Sequence, residues 1–210
     1  MIRILLVEDQ SIIRQGLKMI IEQDPEFKIV GEAENGLLAV QFLETNAVDI
    51  VLMDIRMPVM NGIETSHKIK ERWPQTKILI LTTFNDEEYA LQSLREGVNG
   101  FLLKTSDGRK LISSIRSCLD GGMAIHEQVA AKVMPRLLEK TQNEKITVDL
   151  TPREIAITKL IGAGKTNKEI ANELFLSVGT VKNHITQILH KLDLRDRTQL
   201  AIYAVKNDIL

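Results

Sequence analysis

The chain has 210 residues, of which 44 % are hydrophobic and 26 % are charged, a composition typical of a folded globular protein and not of a disordered one. The formal net charge is −1, and the first apolar run (residues 4–7) is too short for a signal peptide or a membrane span. A single cysteine, Cys118, excludes a disulfide framework, so we expect a buried thiol in a cytoplasmic protein with no membrane partner.

Short apolar or β-branched segments alternate with helical patterns over the first 120 residues. Strands are predicted at Ile2–Val7, Lys28–Gly31, Ile50–Met53, Lys77–Leu81 and Gly100–Leu103. Several of these runs are apolar without alternation, which is typical of parallel strands covered on both faces. Five strand–helix units in series predict an open, doubly wound α/β sheet with right-handed crossovers.

The strand signals stop after Gly121-Gly122, and the rest of the chain is helical in pattern. We expect an α/β domain over residues 1–120, a linker over 121–148 with a helix around Gln128–Leu138, and an all-α domain over 149–210. Capping residues that signal four helix starts are Thr151, Thr166, Ser177 and Asp196. The short turn before Ser177 is what a helix-turn-helix requires.

Residues of complementary chemistry stand at the ends of four predicted strands. They are Glu8 and Asp9 after the first strand, Asp54 after the third, Thr82 after the fourth and Lys104 after the fifth. Ligand sites in open α/β sheets lie beyond the carboxyl ends of the strands, so we expect these side chains to converge. Three carboxylates in one crevice favour a hard cation such as Mg²⁺. Asp54 is the candidate nucleophile for a phosphoryl group, whose charge Lys104 and Thr82 would stabilise.

These residues, with the stretches 53–58 and 100–104, resemble the receiver domain of response regulators. The resemblance implies a flavodoxin-like (βα)5 fold in which Asp54 is the phosphoacceptor. The Mg²⁺ ligands that it implies are Glu8, Asp9, Asp54 and the backbone carbonyl of Arg56, and the phosphoryl-binding residues are Thr82 and Lys104. It also places Thr82 and Phe101 at the family's conformational switch, although core packing explains Phe101 equally well. Glu8 departs from the Asp more often found first in the acidic pair.

The third predicted helix of the C-terminal domain is amphipathic. Its narrow apolar arc contains Val178, Val181, Ile185, Ile188, Leu189 and Leu192. The remaining face carries hydrogen-bonding side chains and no carboxylate, as a helix in the DNA major groove needs. Lys182 is suited to a guanine edge or a phosphate, and Asn183 to an adenine edge. An ordinary amphipathic surface helix is the alternative.

Three C-terminal stretches, 150–154, 167–171 and 179–184, resemble the LuxR-type helix-turn-helix of the NarL/FixJ response regulators. The resemblance implies a four-helix DNA-binding domain. The base-reading residues that it implies are Lys182, Asn183 and Thr186, and the backbone-contacting residues are Thr166, Asn167, Thr180 and His184. Thr186 stands where some members carry a basic residue, so its contact is the least typical of the family.

The last predicted helix carries an uninterrupted apolar run over residues 200–205. The terminal helix of so small a domain cannot bury every side in its own core. We therefore expect a homodimer contact formed by Leu200, Ile202, Tyr203 and Val205, as the resemblance also implies. Full burial within the domain is the alternative, and a dimer would bind two half-sites related by two-fold symmetry.

The combined features predict a two-component response regulator rather than a turnover enzyme. Its partners would be promoter DNA, a sensor histidine kinase and a second copy of the chain. One rival function is a Mg²⁺-dependent phosphatase, which would place a second acid where Arg56 stands. Another is a phosphorylation-independent DNA binder, which would be expected to lack Asp54 or Lys104, and both are present.

The segment Gly164-Lys165-Thr166 resembles the end of a nucleotide-binding P-loop. That motif requires a glycine five residues before Gly164, and Lys159 stands there. We therefore interpret the segment as the turn before a helix capped by Thr166.

Overall fold

The computed structural model describes residues 1–82, 87–127, 129–131, 133, 150–207 and 209, with only the backbone of Glu87. These residues form an α/β domain and a helical domain. Of the helix expected around Gln128–Leu138, residues 129–131 and 133 are helical, and the rest lies outside the described residues. Among the helices that are described, none is long and apolar enough to cross a membrane.

The α/β domain is a parallel sheet with helices between its strands. The strands are β1 (Ile2–Val7), β2 (Phe27–Ala33), β3 (Ile50–Asp54), β4 (Lys77–Thr82), β5 (Gly100–Leu103) and β6 (Ala124–Ile125). The helices are α1 (Ser11–Ile21), α2 (Gly36–Thr45), α3 (Gly62–Arg72), α4 (Glu87–Arg95) and α5 (Gly108–Leu119). The strand order is β2-β1-β3-β4-β5-β6, and each neighbouring pair is parallel. The predicted doubly wound architecture is confirmed, with its switch point between β1 and β3.

Apolar side chains cover both faces of this sheet. All five residues of β3 are buried, which explains why its sequence shows no alternation. In β1, Leu5 and Val7 belong to one apolar cluster and Ile4 and Leu6 to another, because successive side chains point to opposite faces. Cys118 is buried in the second cluster, where burial raises the pKa of its thiol to about 12. The prediction of a packing cysteine is confirmed.

The sheet continues past the predicted domain boundary at residue 120. After a turn in which Gly121 adopts a φ of 79°, Ala124 and Ile125 pair with Gly100 and Phe101 as a sixth strand. A strand of two residues is too short to give a periodic signal in the sequence. The first part of the segment expected to be a linker therefore belongs to the sheet.

The helical domain contains α6 (Pro152–Gly162), α7 (Asn167–Glu173), α8 (Val178–Lys191) and α9 (Arg197–Lys206). Each of these helices is capped by the residue predicted from the sequence. The caps are Thr151, Thr166, Ser177 and Asp196. Both threonines form reciprocal capping boxes, as expected. The box at Asp196 is incomplete, because the Gln199 side chain accepts the N–H of Arg195 rather than that of Asp196.

The helical domain has its own apolar core, to which α8 contributes Val181, Ile185 and Ile188. An ion pair between an exposed lysine and a buried glutamate adds to it: Lys191 Nζ lies 2.7 Å from Glu154 Oε1. The ammonium of Lys191 is the main reason why the pKa of Glu154 is lowered. The pair joins the start of α6 to the end of α8 and so orients α8 in the domain.

The two domains are in contact through α9. The Thr198 hydroxyl donates a hydrogen bond of 3.0 Å to the Val98 carbonyl, which precedes β5, and both residues are buried. Ile202 packs against the apolar cluster of the α/β domain. A cavity of about 60 Å³ lies at this junction, lined by Leu94, Met123, Ile125, Ile161, Gly162, Gly164, Thr198, Ala201, Ile202 and Val205.

Lys70, on α3, makes the stability of the chain depend on pH. Its ammonium donates hydrogen bonds to the Thr76 carbonyl (3.1 Å) and to Asn99 Oδ1 (2.9 Å). Burial, assisted by the charge of Lys77, lowers the pKa of Lys70 from 10.5 to about 8. Between these two values the unfolded chain binds more protons than the folded one, so the free energy of unfolding rises with pH there.

The free energy of unfolding, measured by urea denaturation, is therefore expected to rise less between pH 7 and about pH 9.5 in Lys70→Met than in the wild type. Lys68→Met, on the exposed side of the same helix, is the control. A Lys70→Met variant with the pH dependence of the wild type would contradict the assignment.

Candidate phosphoacceptor and DNA-binding sites

The carboxyl edge of the sheet brings together the acidic residues predicted from the sequence. Glu8 and Asp9 follow β1, and Asp54 is the last residue of the adjacent strand β3. One oxygen from each carboxylate lies within 4.8 Å of the others. Glu8 and Asp54 are buried, whereas Asp9 is exposed at the mouth of the site. The expected acidic cluster is thus present in the folded chain.

Lys104 places its ammonium between the two buried carboxylates. Its Nζ lies 2.8 Å from Asp54 Oδ2 and 2.9 Å from Glu8 Oε2. Burial acts to lower the pKa of Lys104, but the hydrogen bonds to Asp54 and Glu8 outweigh it and the pKa is raised. The pKa of Glu8 is also raised, chiefly because its carboxylate is buried. Lys104 is therefore a permanent cation in this site at neutral pH.

The oxygen atoms of this cluster fit a hard cation. Asp54 Oδ1 accepts the Ile55 N–H at 2.7 Å, and Glu8 Oε1 accepts the Gln10 N–H at 3.3 Å. Glu8 Oε2 is buried, and its partner among the described residues is the Lys104 ammonium, 2.9 Å away. A buried oxygen of this kind, in a donor set made only of carboxylates, matches the ligand preference of Mg²⁺.

The remaining predicted receiver residues surround the acidic cluster in different ways. Thr82 is buried at the end of β4, and its carbonyl accepts the Lys104 N–H at 2.8 Å. The Arg56 side chain turns outward, with its guanidinium 5.8 Å from the centre of the Tyr89 ring. A cavity of about 290 Å³ opens there, lined by Asp9, Ile55, Arg56, Met57, Pro58, Asn61 and Tyr89. The sequence did not predict that Tyr89 lies beside the acidic cluster, because its spacing is that of an ordinary apolar residue of α4.

Phe101 is fully buried in the apolar cluster of the α/β domain. Its backbone pairs with Ile80 of β4 and with Ile125 of β6. This position accounts for the residue as part of the core, one of the two roles expected from the sequence. The switch role of Phe101 stays a prediction.

The predicted recognition helix α8 has the expected amphipathic form, with one exception. Val181, Ile185 and Ile188 face the core, but Val178, at its first position, is partly exposed. The exposed polar side includes Lys182, Asn183 and Thr186, with Thr180 and His184 partly exposed. The Thr186 hydroxyl donates to the Lys182 carbonyl of its own helix at 3.1 Å. A contact from Thr186 to DNA would have to share or replace that bond.

Two of the residues expected to touch the DNA backbone lie next to the α/β domain, Asn167 buried and Thr166 partly exposed. Asn167 is only 8 % exposed, and its N–H donates to the Asp120 carbonyl at 3.1 Å. Its side-chain oxygen accepts a hydrogen bond from Arg197 at 2.9 Å. Thr166 lies beside Gly122. A Cβ atom added at Gly122 would come within 3.0 Å of the Thr166 methyl carbon. In this arrangement Asn167 is not available to DNA, and no periodic pattern in the sequence indicated Asp120 or Arg197 as its partners.

The apolar residues of α9 have three different environments. Leu200 is completely buried in the core of the helical domain, so it is not available for a dimer contact and that part of the prediction is wrong. Tyr203 is partly buried against the same core. Ile202 and Val205 face the α/β domain or the cavity at the junction. The sequence shows that the helix is apolar on every side but not which side each partner covers.

The segment 164–166 forms a turn, as predicted. Gly164 adopts a φ of 77°, a backbone conformation that favours glycine, and Thr166 caps α7. The helix α6, not a β-strand, precedes it. A P-loop reading is therefore excluded.

Comparisons with known proteins assign the same two parts to families. Residues 4–116 match the response regulator receiver domain, and residues 148–204 match the bacterial regulatory proteins of the luxR family. The chain is 40 % identical over 210 residues to the transcriptional regulatory protein LiaR of Bacillus subtilis, with 100 % of each chain covered. It is 38 % identical to the transcriptional regulatory protein LnrK of the same organism, covering 98 % of this chain and 97 % of LnrK.

A solved structure is similar over the whole length. The response regulator ChrA of a heme-sensing two-component system superposes with a TM-score of 0.54 at 28 % identity, covering 100 % of this chain and 98 % of ChrA. The receiver match alone spans more than half of the chain. This chain is therefore a two-component response regulator, a receiver domain joined to a LuxR-type DNA-binding domain, and not a turnover enzyme.

Proposed function

We propose that the chain accepts a phosphoryl group on Asp54 and thereby controls its sequence-specific binding to promoter DNA. The observation that carries the proposal is the position of the Lys104 ammonium, 2.8 Å from Asp54 Oδ2 in a site that also contains Glu8 and Asp9. This arrangement combines a carboxylate nucleophile with a cation for the transferred group. We assign the receiver to residues 1–120 with β6 added, and the DNA-binding domain to residues 149–210.

The transfer is a displacement at phosphorus. One oxygen of Asp54 forms the new O–P bond while the bond from phosphorus to the donor's leaving atom breaks, and the leaving group departs with that electron pair. Lys104 exchanges its contact with the carboxylates for one with the phosphoryl oxygens, to which the Thr82 hydroxyl donates. Mg²⁺, held by Glu8, Asp9, Asp54 and the backbone carbonyl of Arg56, would neutralise charge on the transferring group.

Contacts between the domains support a switch in which phosphorylation releases the DNA-binding domain. The Asp120 carbonyl accepts a hydrogen bond from the Asn167 N–H, and the Val98 carbonyl accepts one from the Thr198 hydroxyl. Released from these contacts, Thr166 and Asn167 join Thr180 and His184 in contacting the DNA backbone. The base-reading residues are Lys182, Asn183 and Thr186.

The same release supports homodimerisation through α9. Ile202 and Val205 lie at the domain junction, so they become exposed when the domains separate. Together with Tyr203 they form the proposed contact between two copies on DNA. The dimer and the docked arrangement therefore compete for one side of α9.

A sensor histidine kinase is the proposed phosphodonor, in the cytoplasm. Helix α1 begins just after Glu8 and Asp9, and two of its apolar residues, Ile12 and Met19, are 76 % and 73 % exposed. Seven residues apart, they share one face of the helix. An exposed apolar face beside the acidic site is suited to a partner that brings a phosphoryl group to Asp54.

Incubation with acetyl phosphate and Mg²⁺ is expected to add one phosphoryl group to the wild-type chain. Asp54→Asn removes the nucleophile and should show no adduct by intact mass. Lys104→Met retains Asp54 but lacks the ammonium, so its rate of phosphorylation should fall by at least about 100-fold. An adduct on Asp54→Asn would contradict the assignment of the nucleophile.

Thr198→Val removes the hydroxyl that binds Val98 and leaves a buried carbonyl unpaired at the domain junction. The loss costs the docked state about 1–3 kcal/mol, so DNA affinity without phosphorylation should rise about fivefold or more. Affinity after phosphorylation should stay unchanged. The measurement is titration of a duplex selected by the wild-type chain from a random-sequence library.

Thr158→Val is the matched control, because Thr158 is buried in the helical domain and its hydroxyl has no hydrogen-bond partner in the described part of the chain. This variant should bind DNA like the wild type in both states. If Thr198→Val also bound like the wild type before phosphorylation, docking would not limit DNA binding.

A further inference from the structure

Phe175 is the most exposed of the large apolar side chains in the described structure, at 95 %. It lies in the turn between α7 and α8, two residues before Ser177, which caps α8. Its side chain makes no contribution to the apolar core of the helical domain. A bulky aromatic ring in water at this position therefore has no explanation in the stability of the fold.

The backbone of Phe175 is also in an unfavourable conformation for its residue type. Its φ is 55°, in the left-handed region where glycine and asparagine are preferred. A bulky side chain in such a conformation costs stability, and the exposed ring makes no core contact that offsets this cost.

The turn is held in place by contacts on both sides of this residue. The Leu174 carbonyl accepts a hydrogen bond of 2.7 Å from Arg153 of α6, and the Leu176 N–H donates to the Ala171 carbonyl at 2.8 Å. The aromatic ring is thus presented from a fixed backbone. A pre-positioned ring loses little conformational freedom on binding a partner.

The charges around the ring favour a polyanion. Residues 174–190, which include the turn and nearly all of α8, contain Lys182 and no carboxylate, and the preceding Glu173 lies 3.9 Å from the Lys165 ammonium. Arg153 adds a second cation next to the turn. Val178, the first residue of α8, is a second exposed apolar side chain three residues after Phe175.

We infer that Phe175 contacts operator DNA, packing its ring against the C5-methyl group of a thymine at the edge of the major groove. The inference rests on the proposed function of α8 and adds an apolar contact to its hydrogen-bonding residues. Thymine methyl groups are the apolar feature that proteins read in the major groove, and phenylalanine is among the side chains that read them. The ring would lose its exposure to water when DNA binds.

The test uses the full chain after treatment with acetyl phosphate and Mg²⁺, and a duplex selected by the wild type from a random-sequence library. Phe175→Ala and Phe175→Asn are expected to bind this duplex about fivefold to thirtyfold more weakly. Phe175→Asn should at the same time unfold at a temperature equal to or above that of the wild type, because asparagine tolerates the left-handed conformation. Weaker binding then cannot be attributed to a damaged domain.

Duplexes in which each thymine in turn is replaced by deoxyuridine identify the contact. At one thymine of each half-site the wild type should lose about threefold or more in affinity, and Phe175→Ala should lose nothing further at that position. If replacing Phe175 lowered the affinity by the same factor for every duplex, the methyl contact would be contradicted.

Two further variants separate this inference from the function on which it rests. Val59, in the receiver, is another exposed residue with a positive φ (67°). Val59→Asn makes the same kind of substitution away from α8 and should leave DNA affinity unchanged. Lys182→Ala should weaken binding if α8 reads DNA. Weaker binding by Lys182→Ala with unchanged binding by the Phe175 variants would overturn the inference alone, whereas unchanged binding by all of them would overturn both.

Discussion

Two carboxylates and one ammonium share a buried site at the carboxyl edge of the sheet, where Lys104 lies between Asp54 and Glu8. Charges removed from water are costly unless they are paired, and one cation does not balance two buried anions. The site therefore gains from a divalent cation, while a phosphoryl group on Asp54 would give Lys104 a new anionic partner. This imbalance would make the pocket responsive to phosphorylation, and the proposed control of DNA binding depends on it.

The strand β5 connects that pocket to the junction between the domains. Lys104 follows the carboxyl end of β5, and Val98, which binds Thr198 of α9, lies just before its amino end. The four residues of β5 span about 13 Å. A shift of β4 and β5 that follows the movement of Lys104 and Thr82 would thus reach the contact that holds the DNA-binding domain.

How far the sequence predicts this molecule depends on whether a feature is local. The strand ends, the capping residues and the acidic cluster follow from short patterns, because parallel strands align their carboxyl ends and helix caps lie within one turn of their targets. The burial of Leu200 and the docking of Asn167 depend on which elements meet in space. An apolar run such as residues 200–205 predicts that a helix is covered on several sides, but not which element covers each side. The strand β6 has only two residues, too few to show any hydrophobic period in the sequence.

The N–H of Asn167 offers the most direct test of the switch. It belongs to the first residue of α7 and so has no acceptor within that helix, and the acceptor that protects it is the Asp120 carbonyl of the receiver. Amide hydrogen exchange, measured by NMR before and after phosphorylation, should show Asn167 exchanging at least about tenfold faster once Asp54 is phosphorylated, with the core amide of Ile185 unchanged. Unaltered protection of Asn167 in the fully phosphorylated chain would contradict release of the DNA-binding domain.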